Sequence, residues 1–116
     1  MSEATTEPTE LRVVLVNVPP ADASRIARAL VEARLAACVN ALPGVTSFYV
    51  WQGKLEEESE TTLLIKTRAS LVPELTAKVR ELHSYSVPEV VAVVLERGAG
   101  NPAYLDWVVA STRDPS

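Results

Sequence analysis

Hydrophobic periodicity changes in a fixed order along this chain, and that order leaves few folds open. Segments with the alternating period of strands and segments with the longer period of helices follow one another as strand, helix, strand, strand, helix, strand, helix. This order is the split β-α-β arrangement of ferredoxin-like folds, with an added C-terminal helix. We therefore predict an α+β domain, a ferredoxin-like βαββαβ sandwich with its helices on one face of an antiparallel sheet.

The predicted strands are rich in β-branched residues and end at Pro or Gly. Pro43-Gly44 predicts a bend or bulge inside the first half of a hairpin, and Gly53-Lys54 predicts its turn. The Glu56-Glu57-Glu58 run is typical of a solvated loop or strand end. The strand segments are Leu11–Val18, Cys38–Leu42, Val45–Gln52, Thr61–Thr67 and Glu89–Glu96.

Each predicted helix follows a residue able to cap it, namely Asp22, Ser70 and Asn101. Pro73 and Pro102 fall in the first turns of the second and third helices, where a missing N–H costs little. Polar residues 1–10 predict a flexible N-terminal tail, residues 11–112 a single domain, and residues 113–116 a short C-terminal tail.

Composition narrows the class of partner. The chain has 116 residues, a net charge of −4 and no run of Lys or Arg, which argues against a nucleic acid or an anionic membrane as partner. The chain has one cysteine, Cys38, so it has no internal disulfide, and a single free thiol is typical of proteins in a reducing compartment. With neither a signal-like start nor a membrane-length apolar run, we expect a cytoplasmic protein.

The predicted sheet has apolar residues on both faces. Val45, Tyr49 and Trp51 alternate with Phe48 and Val50, yet helices would cover one face only. We therefore expect the other face to be covered by a second copy of the chain.

Several short motifs follow one another in a fixed order between roughly residues 13 and 111. They are Leu35-Ala36-Ala37-Cys38-Val39-Asn40, Trp51-Gln52-Gly53-Lys54, Ile65-Lys66-Thr67, His83-Ser84-Tyr85, Val87-Pro88-Glu89 and Tyr104-Leu105-Asp106-Trp107. Together these motifs resemble the CutA divalent-cation tolerance proteins. This resemblance implies a tight homotrimer of ferredoxin-like subunits, a role in tolerance of divalent metals, copper especially, and no enzymatic activity.

His83 and Cys38 are the candidate metal ligands. The sole imidazole, His83, suits Cu(II), and the thiol of Cys38 suits Cu(I). The alternatives are that His83 ends a helix and bonds its last carbonyls, and that Cys38 is a small buried residue. Some family members have a second histidine where Leu82 stands and a cysteine near Val16, so this chain has fewer of the family's donors.

A second group of residues suggests a ligand pocket between subunits. Lys66 is a charge inside an apolar strand, and Glu89 is its expected partner. Together with aromatic residues they indicate a pocket for a small anionic ligand or a metal, or else an ion pair and aromatic packing at a trimer interface. The aromatic members of this group are Tyr49, Trp51, Tyr85, Tyr104 and Trp107.

Three functions compete on these observations. The first is a non-enzymatic homotrimer that acts in copper tolerance and for which weakly bound Cu(II) is the candidate cofactor. The second is a trimeric small-ligand sensing or signalling module with an intersubunit pocket. The third is an enzyme like the acylphosphatases, which share this type of fold; Asn17-Val18-Pro19-Pro20 lacks the glycine loop that would cradle phosphate, so this reading is set aside.

Overall fold

The computed structural model describes residues 9–116 and confirms the α+β prediction. Four antiparallel strands form one sheet in the order β2-β3-β1-β4, and three helices pack on it. The strands are β1 (Leu11–Val18), β2 (Cys38–Trp51), β3 (Lys54–Arg68) and β4 (Val91–Leu95). The helices are α1 (Ala23–Glu32), α2 (Val72–Leu82) and α3 (Pro102–Ala110).

The main core lies between the two central strands and the helices α1 and α2. Alternate residues of β1 and β3 point toward these helices, and α1 and α2 turn an apolar stripe toward the sheet. Burying each large aliphatic side chain of this kind contributes about 1.5–3 kcal/mol. The fully buried members include Val14, Val16, Ile26, Leu30, Leu63, Ile65, Leu75 and Val79.

The opposite surface of the sheet, which bears Val13, Leu15, Leu64, Val91 and Val93, is called here the second face. We expected no helix on it, and this expectation was wrong at one end. There α3 packs Leu105 and Val108 against Leu11 of β1 and forms a second, smaller core. The rest of the second face stays half exposed, with Val91 and Val93 each 48% exposed.

Strands β2 and β3 continue beyond the sheet as a long hairpin arm, defined as residues 45–60. Strand β1 pairs with β3 only from Thr61 onward, so in the described part of the chain the arm has no further strand beside it. The register shifts between Leu42 and Val45, which confirms the bulge predicted at Pro43-Gly44. The Glu56–Glu58 run is part of β3 and not a loop, because β3 begins at Lys54.

The turn of the arm lies one residue earlier than predicted. Gln52 and Gly53 connect Trp51 to its partner Lys54, with φ of 52° and 79°. Two consecutive residues with positive φ form the tight turn whose twist matches that of the flanking strands. Glycine at the second position adopts this conformation without steric cost.

Only one of the three predicted helix caps forms. Asn101 accepts a hydrogen bond from the N–H of Ala103 at 3.1 Å and caps α3. Asp22 precedes α1 but makes no capping bond; its carboxylate contacts Arg25 and Ser84 instead. Ser70 does not cap α2, which follows Leu71, and its buried hydroxyl has no partner among the described residues.

The described residues of both predicted tails make contacts with the domain. Residues 1–8 of the expected N-terminal tail lie outside the described residues, whereas the carbonyl of Glu10 accepts the N–H of Ala69 at 2.8 Å. At the other end, Arg113 forms an ion pair with Glu74 of α2, and the N–H of Ser116 bonds the same carboxylate. Within residues 9–116 no helix is long and apolar enough to cross a membrane.

Candidate functional site

A cleft of about 620 Å³ opens between the arm and the turn that follows α2. Its aromatic lining comes from the arm and from Tyr85, and its carboxylates are Glu60 and Glu89. A cavity of this size, with apolar walls and a few polar groups, has the dimensions typical of a small-molecule site. The remaining lining residues are Asn17, Ser47, Phe48, Tyr49, Trp51, Ser86 and Val87.

His83 follows α2 directly and begins the turn that borders this cleft. Helix α2 ends at Leu82, and the buried imidazole places Nε2 2.8 Å from the carbonyl oxygen of Asn17. Its Nδ1 lies 3.0 Å from the backbone nitrogen of Tyr85 and accepts that N–H. Because Nδ1 must then be the acceptor, Nε2 carries the proton and donates to Asn17. The imidazole therefore acts as a brace between β1 and the turn.

The prediction that His83 ends a helix is confirmed, but its predicted bonding was wrong. The ring bonds a carbonyl of β1 and not the last carbonyls of α2. Both ring nitrogens are engaged, so neither presents a free lone pair to a metal ion. A copper ion at His83 would first have to displace one of these two hydrogen bonds.

Tyr85 and Glu60 join the turn to the base of the arm. The phenol of Tyr85 donates to Oε2 of Glu60 at 3.0 Å. Burial, this hydrogen bond and the negative charges of Glu60 and Glu58 raise the pKa of Tyr85 to about 12. Burial and nearby carboxylates also raise the pKa of Tyr49. Both phenols therefore remain neutral donors at physiological pH.

Glu89 is held at the other side of the cleft by an amide. Asn17 donates from Nδ2 to Oε1 of Glu89 at 3.2 Å, and its own Oδ1 accepts the hydroxyl of Thr62 at 2.6 Å. The backbone carbonyl of the same asparagine bonds His83. Asn17 thus positions one carboxylate of the cleft and the brace that shapes it.

Lys66 does not pair with Glu89, so that prediction was wrong. Lys66 lies opposite Cys38 in the β2–β3 ladder and donates to Oδ1 of Asn40. It also lies opposite Val13 of β1, whereas Glu89 bonds Asn17, farther along that strand. The predicted pocket residues therefore divide into two groups, and Lys66 belongs to the group outside the cleft.

This other group lies on the second face near α3. The thiol of Cys38 lies 3.7 Å from the Oδ1 of Asn40 that Lys66 also contacts. Burial, followed by the charge and hydrogen bond of Cys38, raises the pKa of Tyr104. Tyr104 packs on Trp107 with ring centroids 5.6 Å apart. Neither aromatic residue lines the cleft, so the predicted set of cleft residues retains Tyr49, Trp51, Tyr85 and Glu89.

Cys38 and His83 do not come together. Cys38 pairs across the sheet with Lys66, which pairs in turn with Val13 of β1. His83 instead bonds Asn17, four residues farther along β1. The offset from Val13 to Asn17 is roughly 13 Å at the rise of a β-strand, whereas one metal ion holds imidazole and thiolate at about 2.0–2.3 Å. A shared metal site or catalytic dyad is excluded in this arrangement. Within residues 9–116 no cluster of three or more His, Cys, Asp or Glu side chains could hold a metal.

Sequence reasoning missed several cleft residues, above all Glu60 and Asn17. The sequence predicts a solvated segment for the acidic Glu56–Glu58 run that precedes Glu60, yet Glu60 is only 5% exposed. Its position carried a signal, because it is in phase with Thr62 and Leu64 of the same strand. Asn17, a polar residue at the end of an apolar strand, was considered only as part of a phosphate loop.

A family model described as "CutA1 divalent ion tolerance protein" matches residues 12–111. The chain belongs to the CutA1 divalent ion tolerance family. The match includes the whole cleft lining and every strand and helix except the first residue of β1, Leu11. The family resemblance seen in the sequence motifs is thereby confirmed.

Relatives of two kinds show the same CutA domain. "Protein CutA" of Mus musculus is 55% identical over 81% of this chain but only 52% of its own length. "Divalent-cation tolerance protein CutA" of Thermus thermophilus is 50% identical over 86% of this chain and 96% of its own length. The chain thus spans about half of the mouse relative and nearly all of the bacterial one.

Solved CutA structures share the whole architecture. The crystal structure of CutA1 from Oryza sativa superposes with a TM-score of 0.87 at 43% identity, covering 91% of this chain and 96% of the rice chain. This agreement extends the family assignment from sequence to the fold that carries the cleft. The bacterial relative and the family model are named for tolerance of divalent cations.

Proposed function

We propose that this chain is a non-enzymatic subunit of a homotrimer that contributes to divalent-cation tolerance, and that its binding site is the cleft beside the arm. The observation that carries the proposal is the cleft itself, a cavity of about 620 Å³ with aromatic walls and two carboxylates among its lining residues. The bonds of His83 to Asn17 and Tyr85 hold one side of this cavity in shape. A preformed cavity of this kind favours a small-ligand sensing role over direct metal chemistry.

The exposed apolar surface supports self-association. On the arm, Phe48, Val50 and Leu55 are 66%, 67% and 72% exposed. The second face adds the half-exposed valines of β4, and α3 covers only its far end. Exposed apolar surface in these two places, the arm and the second face, is typical of an interface. Three copies are what membership in the family leads us to expect, with the arm reaching onto a neighbouring subunit.

Direct Cu(II) binding at His83 is the second candidate function, and the family's link to divalent ions favours it. Imidazole is a good Cu(II) donor once its hydrogen bond to Asn17 is released. Under this candidate function Cys38 would form a separate Cu(I) site, since it lies on the second face. Under the leading proposal, any contribution to metal tolerance is indirect.

The proposed compartment is the cytoplasm, where the free thiol of Cys38 stays reduced. A rice relative is named as chloroplastic, so family membership alone does not fix the compartment.

Calorimetric titration of Cu(II) into metal-free protein, paired with light scattering for the mass in solution, tests these points. We expect a mass of three chains. We also expect no saturable Cu(II) site that depends on His83, that is, no site lost in His83→Ala but kept in Cys38→Ser. A monomer would overturn the homotrimer. A whole-number Cu(II) ratio lost only in a folded His83→Ala protein would replace the leading proposal with the second candidate.

A further inference from the structure

The charge of the cleft points to the class of its ligand. Two of the residues that line it, Glu60 and Glu89, are acidic, and none of the described lining residues is Lys, Arg or His. Lys66, the cation that the sequence predicted for the pocket, lies outside the cleft. The cleft therefore carries negative charge, and the small anionic ligand expected from the sequence would meet repulsion there.

Glu60 is a buried carboxylate without a cationic partner in the described chain. It is 5% exposed, and its Oε2 accepts the phenol of Tyr85. No donor among residues 9–116 reaches its Oε1, and no ion pair there includes this residue. Burying a carboxylate costs free energy unless a positive charge approaches it. A cationic ligand would supply that charge.

Both carboxylates are oriented by neutral groups. Tyr85 holds Glu60 through a phenol that stays protonated, and Asn17 holds Glu89 through its amide. Neutral donors fix the direction of a carboxylate without cancelling its charge. The negative charge remains available to a molecule that enters the cleft.

The aromatic walls select the kind of cation. Phe48, Tyr49, Trp51 and Tyr85 line the same cavity. Aromatic faces attract ammonium and guanidinium groups, and the attraction increases when water is excluded. A bare divalent metal would instead need several convergent oxygen ligands, and its site would be much smaller than 620 Å³.

We propose that the cleft binds a small organic cation, whose ammonium or guanidinium group lies between Glu60 and Glu89 against the aromatic side chains of the arm. This inference rests on the proposed function, in which the cleft is the ligand site, and adds the chemical class of the ligand.

Two tryptophans allow a clean test. Trp51 lines the cleft and Trp107 lies on α3, so a Trp107→Phe protein reports the cleft through Trp51 fluorescence. The cationic probes are choline, n-butylammonium and n-butylguanidinium. The neutral probe is 3,3-dimethylbutan-1-ol, which matches choline in shape, and the anionic probe is 3,3-dimethylbutyrate. Calorimetry on the unaltered protein provides an independent readout for each probe.

We expect at least one cation to bind about tenfold or more tightly than the neutral and anionic probes. Glu60→Gln keeps an acceptor for Tyr85 but removes the charge, so cation binding should weaken about tenfold or more. Glu32→Gln, an exposed acid on α1 away from the cleft, should leave the affinity unchanged.

The two ways of failing are distinguishable. If the neutral or anionic probe binds as tightly as every cation, or if Glu60→Gln binds cations as well as the unaltered protein, the cation class is wrong while the cleft remains a ligand site. If no probe gives a saturable signal up to about 10 mM, the cation proposal and the cleft as a binding site both fail.

Discussion

The imidazole of His83 and the carbonyl of Asn17 link the end of α2 to β1 through a hydrogen bond of 2.8 Å. The same ring accepts the N–H of Tyr85, so one side chain positions both the turn and the strand that border the cleft. We expect His83→Ala to lower the free energy of unfolding by about 2–4 kcal/mol, because it leaves a cavity and an unpaired carbonyl. Urea unfolding at a fixed protein concentration measures this change.

Ser84→Ala is the matched control for that substitution. Ser84 is the next residue and bonds Asp22, but it is exposed, so its loss should change the free energy of unfolding by about 0.5 kcal/mol or less. Equal effects of the two substitutions would show that the ring of His83 is not a brace.

The raised pKa of Tyr85 predicts an alkaline loss of stability. In the folded state this pKa is about 12, above the value of 10.0 for an ordinary tyrosine. Between these two values the native protein holds a proton that the unfolded chain has released, so stability falls as pH rises through this window. Below it, the full contribution of the neutral phenol is present.

Tyr85→Phe should flatten this pH dependence. Urea unfolding of both proteins at several pH values between about 9 and 12 checks the slope, and absorbance of the phenolate follows the titration itself. Tyr85→Phe lacks the hydrogen bond to Glu60 at every pH, so this loss does not produce a slope of its own. An unchanged slope in Tyr85→Phe would assign the alkaline transition to other groups.

The cap of α3 should contribute measurably to stability. Asn101 accepts the N–H of Ala103, and α3 covers Leu11 at one end of the second face. Asn101→Ala should cost about 0.5–2 kcal/mol of the free energy of unfolding, while Asn101→Asp keeps the acceptor and should cost much less. Thermal unfolding of the three proteins side by side measures these losses. Similar losses for Asn101→Ala and Asn101→Asp would mean that the capping hydrogen bond does not account for the change in stability.

The second face should control the oligomeric state. Val91 on this face and Val31 on α1 are 48% and 41% exposed, so the same change can be made at two sites of similar exposure. Val91→Glu should shift the protein toward monomers, because it places a charge in the proposed interface, whereas Val31→Glu should not. Native mass spectrometry measures the distribution. A Val91→Glu protein that assembles like the unaltered one would move the interface elsewhere.

Local sequence patterns were enough for the elements and their order. The first strand was predicted with its observed bounds, because Val-rich runs favour strands and Pro19-Pro20 ends the run. Helix α3 and its cap followed from Asn101 and Pro102 for the same local reason. The family resemblance was likewise readable from motifs that lie in a fixed order.

Long-range packing decided the points that local patterns could not. The carboxylate of Asp22 bonds Ser84, 62 residues away, in addition to its local contact with Arg25. The end of the second face is covered because α3 returns to Leu11 at the start of the sheet. Neither outcome is encoded in the residues next to the site.

The sequence by itself determined the fold class, the family and the presence of aromatic and acidic residues able to bind a ligand. Only the tertiary structure decided which of them meet: Tyr49, Trp51, Tyr85 and Glu89 line one cleft, while Lys66 faces Cys38 at the other end of the second face. The physical reason is register. The spacing along a strand sets which face a side chain occupies, but the pairing of strands distant in sequence sets its height along the sheet and therefore its neighbours.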